Sequence, residues 1–241
     1  MRRMPYVSPC FPRGALGVLA ALSLGATIGC GSEPEAERPA PAAPAVVQVP
    51  ESSAPRPHAI LDVVGMGEIR IALLSELAPE TVENFITLAE QDFYDGVTFH
   101  RVIADFMLQT GDPNTKNRDP RDDGLGGPPH FIPDEFSEIS HQRGLVSMAN
   151  KTRPNSGGSQ FFILVADAFH LDGKHAVFGQ VTAGMDVVDR IAAVEVDLYG
   201  RHGPRDRPLE DVIVADVRIE RAEAPSPDLT EDPQARPQEL P

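Results

Sequence analysis

The sequence predicts one mainly β domain, built as a sandwich or a closed barrel and accompanied by two helices. Three observations support this prediction. About eight short runs of apolar, β-branched and aromatic residues are separated by segments rich in Gly, Pro, Asp and Asn. Two other segments carry apolar residues at the spacing of one helical face. No internal repeat occurs at a fixed period, so a repeat architecture is not indicated.

The first predicted elements are a β-hairpin and a helix. Residues 58–74 contain two apolar runs around Gly65 and Gly67, a pattern typical of a hairpin. Residues 78–91 carry apolar residues on one helical face and have Pro79 near their start. Because proline is favoured in the first helical turn, this segment is predicted to be an amphipathic helix.

The remaining predicted elements are a long loop, a second helix and further strands. Residues 112–132 are rich in Gly, Pro, Asp and Asn, which predicts a loop. Residues 184–194 predict a short helix, and residues 196–208 an enlarged loop. Runs with the composition of strands occur at 97–103, 106–111, 144–150, 159–165, 175–181 and 211–220.

The folded domain is expected to span residues 58–221, a usual size for a single domain. Residues 31–57 are mostly Pro, Ala, Glu and Ser, and residues 222–241 are acidic and Pro-rich. Neither segment can bury enough apolar surface to offset the chain entropy lost on folding. We therefore predict a disordered tether at 30–57 and a disordered tail at 222–241.

Residues 1–29 have the layout of a secretory signal peptide. Arginines precede "GALGVLAALSLGATIG", an uncharged core that is short for a membrane-spanning helix, which needs about 20 apolar residues. The core leads into "TIGC", which resembles the bacterial lipoprotein box, where the cysteine becomes lipidated. This resemblance implies that Cys30 anchors the protein by its lipid to a membrane of the bacterial cell envelope, facing the periplasm. The alternative is an ordinary cleaved signal and a soluble secreted or periplasmic protein.

Charge and cysteine content exclude several functions. The formal net charge of −15 argues against a nucleic-acid partner, because affinity for phosphates comes from Lys and Arg. It also argues against adhesion to anionic lipid, so the expected membrane contact is the N-terminal lipid alone. Both cysteines, Cys10 and Cys30, precede the domain, which therefore has no disulfide, thiol nucleophile or cysteine metal site.

Other familiar chemistries are weakly supported by the sequence. His170 and His175 in "HLDGKH" are five positions apart, whereas a helical zinc pair is four apart, so we predict a turn and no metal. Ser159 lacks the G-x-S-x-G surroundings of a hydrolase nucleophile. The Gly-rich segments 124–127 and 155–159 lack the Lys-Ser/Thr of a phosphate-binding loop and are interpreted as flexible loops.

One apolar segment contains an unexpected cation. Residues 98–112, "TFHRVIADFMLQTGD", have the composition of a buried strand but include His100 and Arg101. On this pattern alone, an outward-facing arginine in a salt bridge is the simpler interpretation.

The wider context changes that interpretation. The segments "FHRVIADFMLQTGDP", "GLVSMAN", "NSGGSQFFI" and "LDGKHAVFGQV" follow one another along the chain. This series resembles the cyclophilins, the peptidyl-prolyl cis-trans isomerases, and the resemblance extends over residues 58–221. It implies a closed eight-stranded antiparallel β-barrel capped by two α-helices. It also implies a monomeric enzyme that needs no cofactor and acts on polypeptides containing X-Pro bonds.

The resemblance also implies a role for individual residues. Arg101 corresponds to the catalytic arginine, with His100 beside it. The residues that correspond to the pocket for the substrate proline are Phe106, Met107 and Phe162, with Leu171 at the wall and His175 at the edge. The residues that correspond to the groove for the peptide backbone are Gln109, Ala149, Asn150 and Gln160. His170 stands where well-known eukaryotic members have a tryptophan that contributes to binding cyclosporin, so weakened cyclosporin binding is expected.

This resemblance explains the cation. Rotation about an X-Pro bond breaks no bond, and its barrier of about 18–20 kcal/mol comes from amide resonance. In the twisted transition state the proline nitrogen gains a lone pair, which the fixed guanidinium of Arg101 can stabilise. Exported proteins are the expected substrates. Two alternatives remain: a tethered module that binds Pro-containing peptides with little catalysis, and a chaperone acting through its acidic surface or tails.

Overall fold

The computed structural model of the protein describes Val49 and residues 55–221. The predicted signal peptide, Cys30, most of the tether and the tail lie outside these residues. The described strands are β1 His58–Val63, β2 Gly67–Leu73, β3 Arg101–Ile103, β4 Met107–Thr110, β5 Leu145–Met148, β6 Phe161–Leu164, β7 Val177–Ala183, β8 Val196–Asp197, β9 Arg207–Pro208 and β10 Val214–Glu220. The described helices are α1 Pro79–Glu90 and α2 Met185–Ala192, with short 3-10 turns at Pro113–Lys116, Pro120–Asp122 and Phe169–Leu171.

Eight of the described strands form one antiparallel sheet in the order β10-β1-β2-β7-β5-β6-β4-β3. These are the eight strands predicted from the sequence, with ends shifted by a few residues. The first hairpin pairs His58 with Ala72 and Val63 with Gly67. Its turn contains Gly65 at φ 71° and Gly67 at φ 106°, a backbone region that residues with a side chain rarely adopt.

The prediction of a closed barrel is wrong, because the sheet curls but remains open between β3 and β10. An isolated bridge from Thr98 to Ile213 and a hydrogen bond from the Phe99 amide to the Val212 carbonyl (2.9 Å) lie near this opening. Two further bonds, from the Gly96 amide to the Val214 carbonyl and from the Val214 amide to the Val97 carbonyl (both 2.8 Å), join the same segments, but this pairing does not continue into β3. The outer edge of β3 is bonded elsewhere, because the Val102 amide donates to the Asp206 carbonyl at 2.8 Å.

That carbonyl belongs to a small hairpin within the predicted enlarged loop 196–208. Strands β8 and β9 pair Val196 with Pro208 and Asp197 with Arg207, and form a separate two-stranded sheet. We call residues 196–208 the β8–β9 hairpin.

Both predicted helices are present and cover the sheet. Helix α1 begins after Ala78 with Pro79 in its first turn and buries Val82, Phe85, Leu88 and Ala89. The Phe85 ring lies 5.4 Å from those of Phe161 and Phe178, so the helix is fixed by aromatic packing against the sheet. Burial of each such ring contributes about 1.5–3 kcal/mol. In the described part of the chain, no helix has the length and apolar character needed to cross a membrane.

The two sides of the sheet bury different apolar clusters. Leu108, Phe161 and Ile163 belong to the main core under the helices. Their neighbours Met107 and Phe162 belong to a second, smaller cluster on the opposite face. Successive side chains of a strand point to opposite faces of the sheet. Each of the strands β4 and β6 therefore directs one set of side chains into the main core and the other set into the second cluster.

Candidate active site

Strand register brings the central site residues into one row. Arg101 of β3 pairs with Gln109 of β4, and Gln109 pairs with Phe162 of β6. Side chains directly opposite one another on neighbouring strands lie on the same face and contact each other. The cation, the amide and the aromatic ring therefore line up across three adjacent strands.

A pocket of about 240 Å³ opens beside this row. Its lining is Arg101, Phe106, Met107, Gln109, Ala149, Asn150, Phe162, Leu171 and His175. All of these residues were predicted from the sequence to be site residues. Met107 and Phe162 are 2% and 5% exposed, so the floor of the pocket is apolar and is fixed by the second cluster.

Arg101 is the cation of this pocket, and its side chain is 42% exposed. Its Nε lies 3.8 Å from Oδ2 of Asp206 on the β8–β9 hairpin. The simple interpretation of an outward-facing arginine in a salt bridge is therefore half right: the ion pair exists, and the same side chain lines the pocket. Asp206 was not among the site residues predicted from the sequence.

His175 and His170 lie at two sides of the pocket. The His175 ring packs edge-on against Phe162, with centroids 5.2 Å apart, and its Nδ1 donates to the Met148 carbonyl at 3.0 Å. Burial lowers the pKa of His175, so the ring is neutral at neutral pH. The His170 ring lies outside the pocket lining but 5.3 Å from the ring of Phe106.

A second cavity, of about 450 Å³, shares part of the pocket wall. Among its lining residues are the four predicted groove residues Gln109, Ala149, Asn150 and Gln160. The pocket and this cavity therefore adjoin along Gln109, Ala149 and Asn150, and the binding of a peptide backbone here remains a prediction.

The far wall of this cavity is held by a buried carboxylate that sequence reasoning missed. Asp112 is fully buried and accepts from the Gly126 amide at 3.1 Å. Gln160 donates to the carbonyls of Gly124 (3.0 Å) and Gly126 (2.9 Å) and accepts from Gln109 (2.9 Å). The segment 124–127, interpreted as a flexible loop, is thus tied to the groove. A Cβ on Gly126 would lie 2.1 Å from Asp112 Oδ1, so the glycine allows this close approach.

His100 is buried behind this network and does not line the pocket. It is 2% exposed, and burial lowers its pKa to about 4. Gln160 and the Thr98 backbone approach the ring, but among the described residues no hydrogen bond of normal geometry reaches either nitrogen. His100 therefore supports the groove from behind as a neutral ring.

The "HLDGKH" segment forms a turn, as predicted. Residues Phe169–Leu171 form a 3-10 turn, and the Asp172 carboxylate accepts from the backbone amide and Nδ1 of His141 at 2.7 and 2.9 Å. Within residues 55–221, no three His, Cys, Asp or Glu side chains are arranged to hold a metal ion.

Comparison with known proteins is consistent with this geometry. Residues 60–220 match the family model described as cyclophilin type peptidyl-prolyl cis-trans isomerase. A peptidyl-prolyl cis-trans isomerase-like 1 of Rhizopus delemar is 45% identical over 151 residues, which are 61% of this chain and 86% of that protein. A putative peptidyl-prolyl cis-trans isomerase of Staphylococcus aureus is 37% identical, with 64% and 87% covered.

Longer relatives and solved structures also match. A second Rhizopus delemar isomerase is 46% identical over 64% of this chain, but the match covers only 23% of that protein. A crystal structure of a Cryptosporidium parvum cyclophilin type isomerase, solved in the presence of the dipeptide Ala-Pro, superposes with a TM-score of 0.60. It is 26% identical, and the match covers 68% of this chain and 99% of that one.

Fold, site and relatives together define an isomerase of the rotamase class. The chain belongs to the cyclophilin type peptidyl-prolyl cis-trans isomerase family. The predictions of family and enzyme class are confirmed; the roles of the individual residues and the location of the protein in the cell remain predictions.

Proposed function

We propose that this protein accelerates cis-trans rotation of X-Pro bonds in exported proteins, with Arg101 stabilising the twisted amide. The observation that carries the proposal is the small apolar pocket with the guanidinium of Arg101 in its lining. At about 240 Å³ the pocket is smaller than a typical site for a drug-sized ligand, and it suits a single small ring such as proline. The Ala-Pro dipeptide used with the Cryptosporidium relative is a substrate fragment of this kind.

The mechanism requires no covalent step. Phe106, Met107 and Phe162 hold the proline ring while the residue before it rotates. As the amide twists, its nitrogen gains a lone pair, and the guanidinium donates a hydrogen bond to it. This interaction is absent in both planar ground states, so it lowers the barrier instead of only tightening binding. Arginine suits the role because it stays protonated and its planar fork is rigid.

The cellular part of the proposal rests on the leader. We propose that Cys30 carries a lipid and that the segment 30–57 tethers the domain to a membrane of the bacterial cell envelope. The domain then faces the periplasm, where newly exported chains fold. Uncatalysed X-Pro rotation takes tens to hundreds of seconds, so a tethered catalyst would speed the folding of these chains.

A protease-coupled assay on a short X-Pro peptide tests the enzymatic part. We expect the wild-type protein to accelerate the slow phase and Arg101→Ala to lose at least about 100-fold in kcat/KM, roughly 2.7 kcal/mol of transition-state stabilisation. Peptide binding by the variant, measured separately, is expected to persist because the apolar pocket remains. A wild-type protein that binds the peptide without accelerating its rotation would instead support the tethered binding module.

A further inference from the structure

The strand that carries Arg101 lies at the open edge of the sheet. Strand β3 has only three residues and pairs on one side with β4. A strand at the edge of a sheet leaves backbone N–H and C=O groups unpaired unless another segment covers them. Here the Val102 amide on the outer side donates to the Asp206 carbonyl at 2.8 Å. The β8–β9 hairpin therefore covers the edge of the catalytic strand.

The hairpin is itself held at several points. The Asp206 amide donates to the Asp197 carbonyl at 2.9 Å. The Asp197 carboxylate, in a residue only 4% exposed, accepts from the amides of Tyr199 (3.1 Å) and His202 (2.7 Å). These bonds close the hairpin from within and fix its own shape.

An ion pair attaches the hairpin to the rest of the domain. Nε of Arg207 donates to the buried carboxylate of Asp123 at 2.7 Å. Asp123 immediately precedes Gly124, which lines the larger cavity of the groove. The hairpin is thus bonded both to the catalytic strand and to the groove loop.

Asp206 occupies the point of contact with Arg101. Its backbone has φ 64°, a left-handed conformation that Asp and Asn tolerate better than most residues. Its side chain is 22% exposed and approaches Nε of Arg101 at 3.8 Å. Among the described residues, no other carboxylate lies within 4.0 Å of the Arg101 guanidinium.

We propose that Asp206 is a positioning residue for the catalytic arginine. An arginine that is 42% exposed has many side-chain conformations, and only some of them direct the guanidinium to the proline nitrogen. A carboxylate on the Nε side restricts these conformations and leaves the two terminal nitrogens free to donate to the substrate. The pair differs from an ordinary surface salt bridge because one partner is fixed by the hairpin backbone. This inference rests on the proposed role of Arg101.

The variant Asp206→Asn tests the inference in the full chain. Asparagine keeps the size, the left-handed backbone and both main-chain bonds, and removes only the charge. An ion pair of this exposure contributes at most about 1 kcal/mol, which corresponds to about fivefold in rate. We expect kcat for an X-Pro peptide to fall about three- to fivefold with little change in KM. Added salt screens the ion pair, so it is expected to lower the kcat of the wild type towards that of the variant and to leave the kcat of the variant unchanged.

Two further variants separate positioning from structural damage. Asp211→Asn removes an exposed charge that pairs with Arg207 and does not face the pocket, so wild-type kinetics are expected. In an Arg101→Ala background, Asp206→Asn is expected to cause no further loss, because the side chain it positions is gone. An equal loss in both backgrounds would show a structural effect and overturn the inference.

The inference and the proposed function can fail separately. If Arg101→Ala abolishes the acceleration and Asp206→Asn keeps wild-type kcat, only the positioning role is refuted. If the wild-type protein shows no acceleration at all, the proposed function itself fails, and the inference fails with it.

Discussion

Removal of the Arg207 side chain is expected to destabilise the domain at the junction of hairpin and groove. Arg207 is 17% exposed and donates from Nε to Asp123, whose side chain is 2% exposed. It also donates to the exposed carboxylate of Asp211 at 2.8 Å. The substitution Arg207→Met keeps the apolar part of the side chain and leaves the Asp123 carboxylate buried without its cation.

The expected cost follows from the two bonds. The contact with exposed Asp211 contributes little, about 0.5 kcal/mol or less. Loss of one partner from a buried pair typically costs 3–5 kcal/mol, because the remaining charge stays desolvated. Since Arg207 itself is partly accessible to water, we expect about 3 kcal/mol, near the lower end of that range.

The pH dependence of this cost gives a specific signature. Burial raises the pKa of Asp123 even beside Arg207. Without the cation the pKa of Asp123 is expected to rise further, so the carboxyl group binds a proton more readily. The neutral form loses less solvation free energy on burial than the charged form. The destabilisation by Arg207→Met should therefore be larger at pH 7.5 than at pH 5.

Urea unfolding of the wild type and the variant at both pH values measures the effect. Asp211→Asn is the matched control and should change the free energy of unfolding by about 0.5 kcal/mol or less. Adding Asp123→Asn to Arg207→Met should recover part of the loss, because no charge is then left buried. A cost below about 1 kcal/mol, equal at both pH values, would refute the view that this pair fixes the hairpin.

Three further predictions concern acid stability, drug binding and location. Burial lowers the pKa of His100 to about 4, against about 6.5 in an unfolded chain. The unfolded state therefore binds the proton first, and stability should fall by up to about 1.4 kcal/mol per unit as the pH drops from 6.5 to 4. His100→Gln should reduce this slope in urea unfolding, whereas His130→Gln, at an exposed ring, serves as the control. For cyclosporin we expect weak inhibition of the wild type and stronger inhibition of His170→Trp; nanomolar inhibition of the wild type would contradict this. For location, Cys30→Ser should move the protein from the membrane to the soluble fraction, while Cys10→Ser should not; a membrane-bound Cys30→Ser variant would exclude the lipid anchor.

Local patterns were sufficient to predict the main elements of the fold, but not strands β8 and β9, which lie in a segment predicted as a loop. The eight strands of the main sheet and both helices were predicted because side-chain alternation and helical spacing are properties of a few neighbouring residues. The helix at Pro79–Glu90 is an example, since its proline start and its apolar face are both visible in the sequence. The lining of the small pocket was also predicted, but through resemblance to a family and not through spacing.

Contacts between distant segments were not predictable in this way. Asp112 was predicted to be the first residue of a loop. Its carboxylate nevertheless accepts hydrogen bonds from the Gly126 amide and from the side-chain amide of Gln160, which is 48 positions away. Nothing in the surrounding residues indicates this burial, because it depends on how the loop folds back over β4. The same is true of His141, whose bond to Asp172 joins segments 31 positions apart.

The sequence by itself determined the eight strands of the main sheet, the two helices and, through resemblance, the isomerase family and the lining of the small pocket. Only the tertiary structure decided that the sheet stays open beside β3 and that Asp206 meets Arg101. The physical reason is that a three-residue edge strand can bond to any backbone that reaches it. In this protein the β8–β9 hairpin reaches β3, and the Asp206 carbonyl accepts the hydrogen bond of the Val102 amide on the outer edge of that strand.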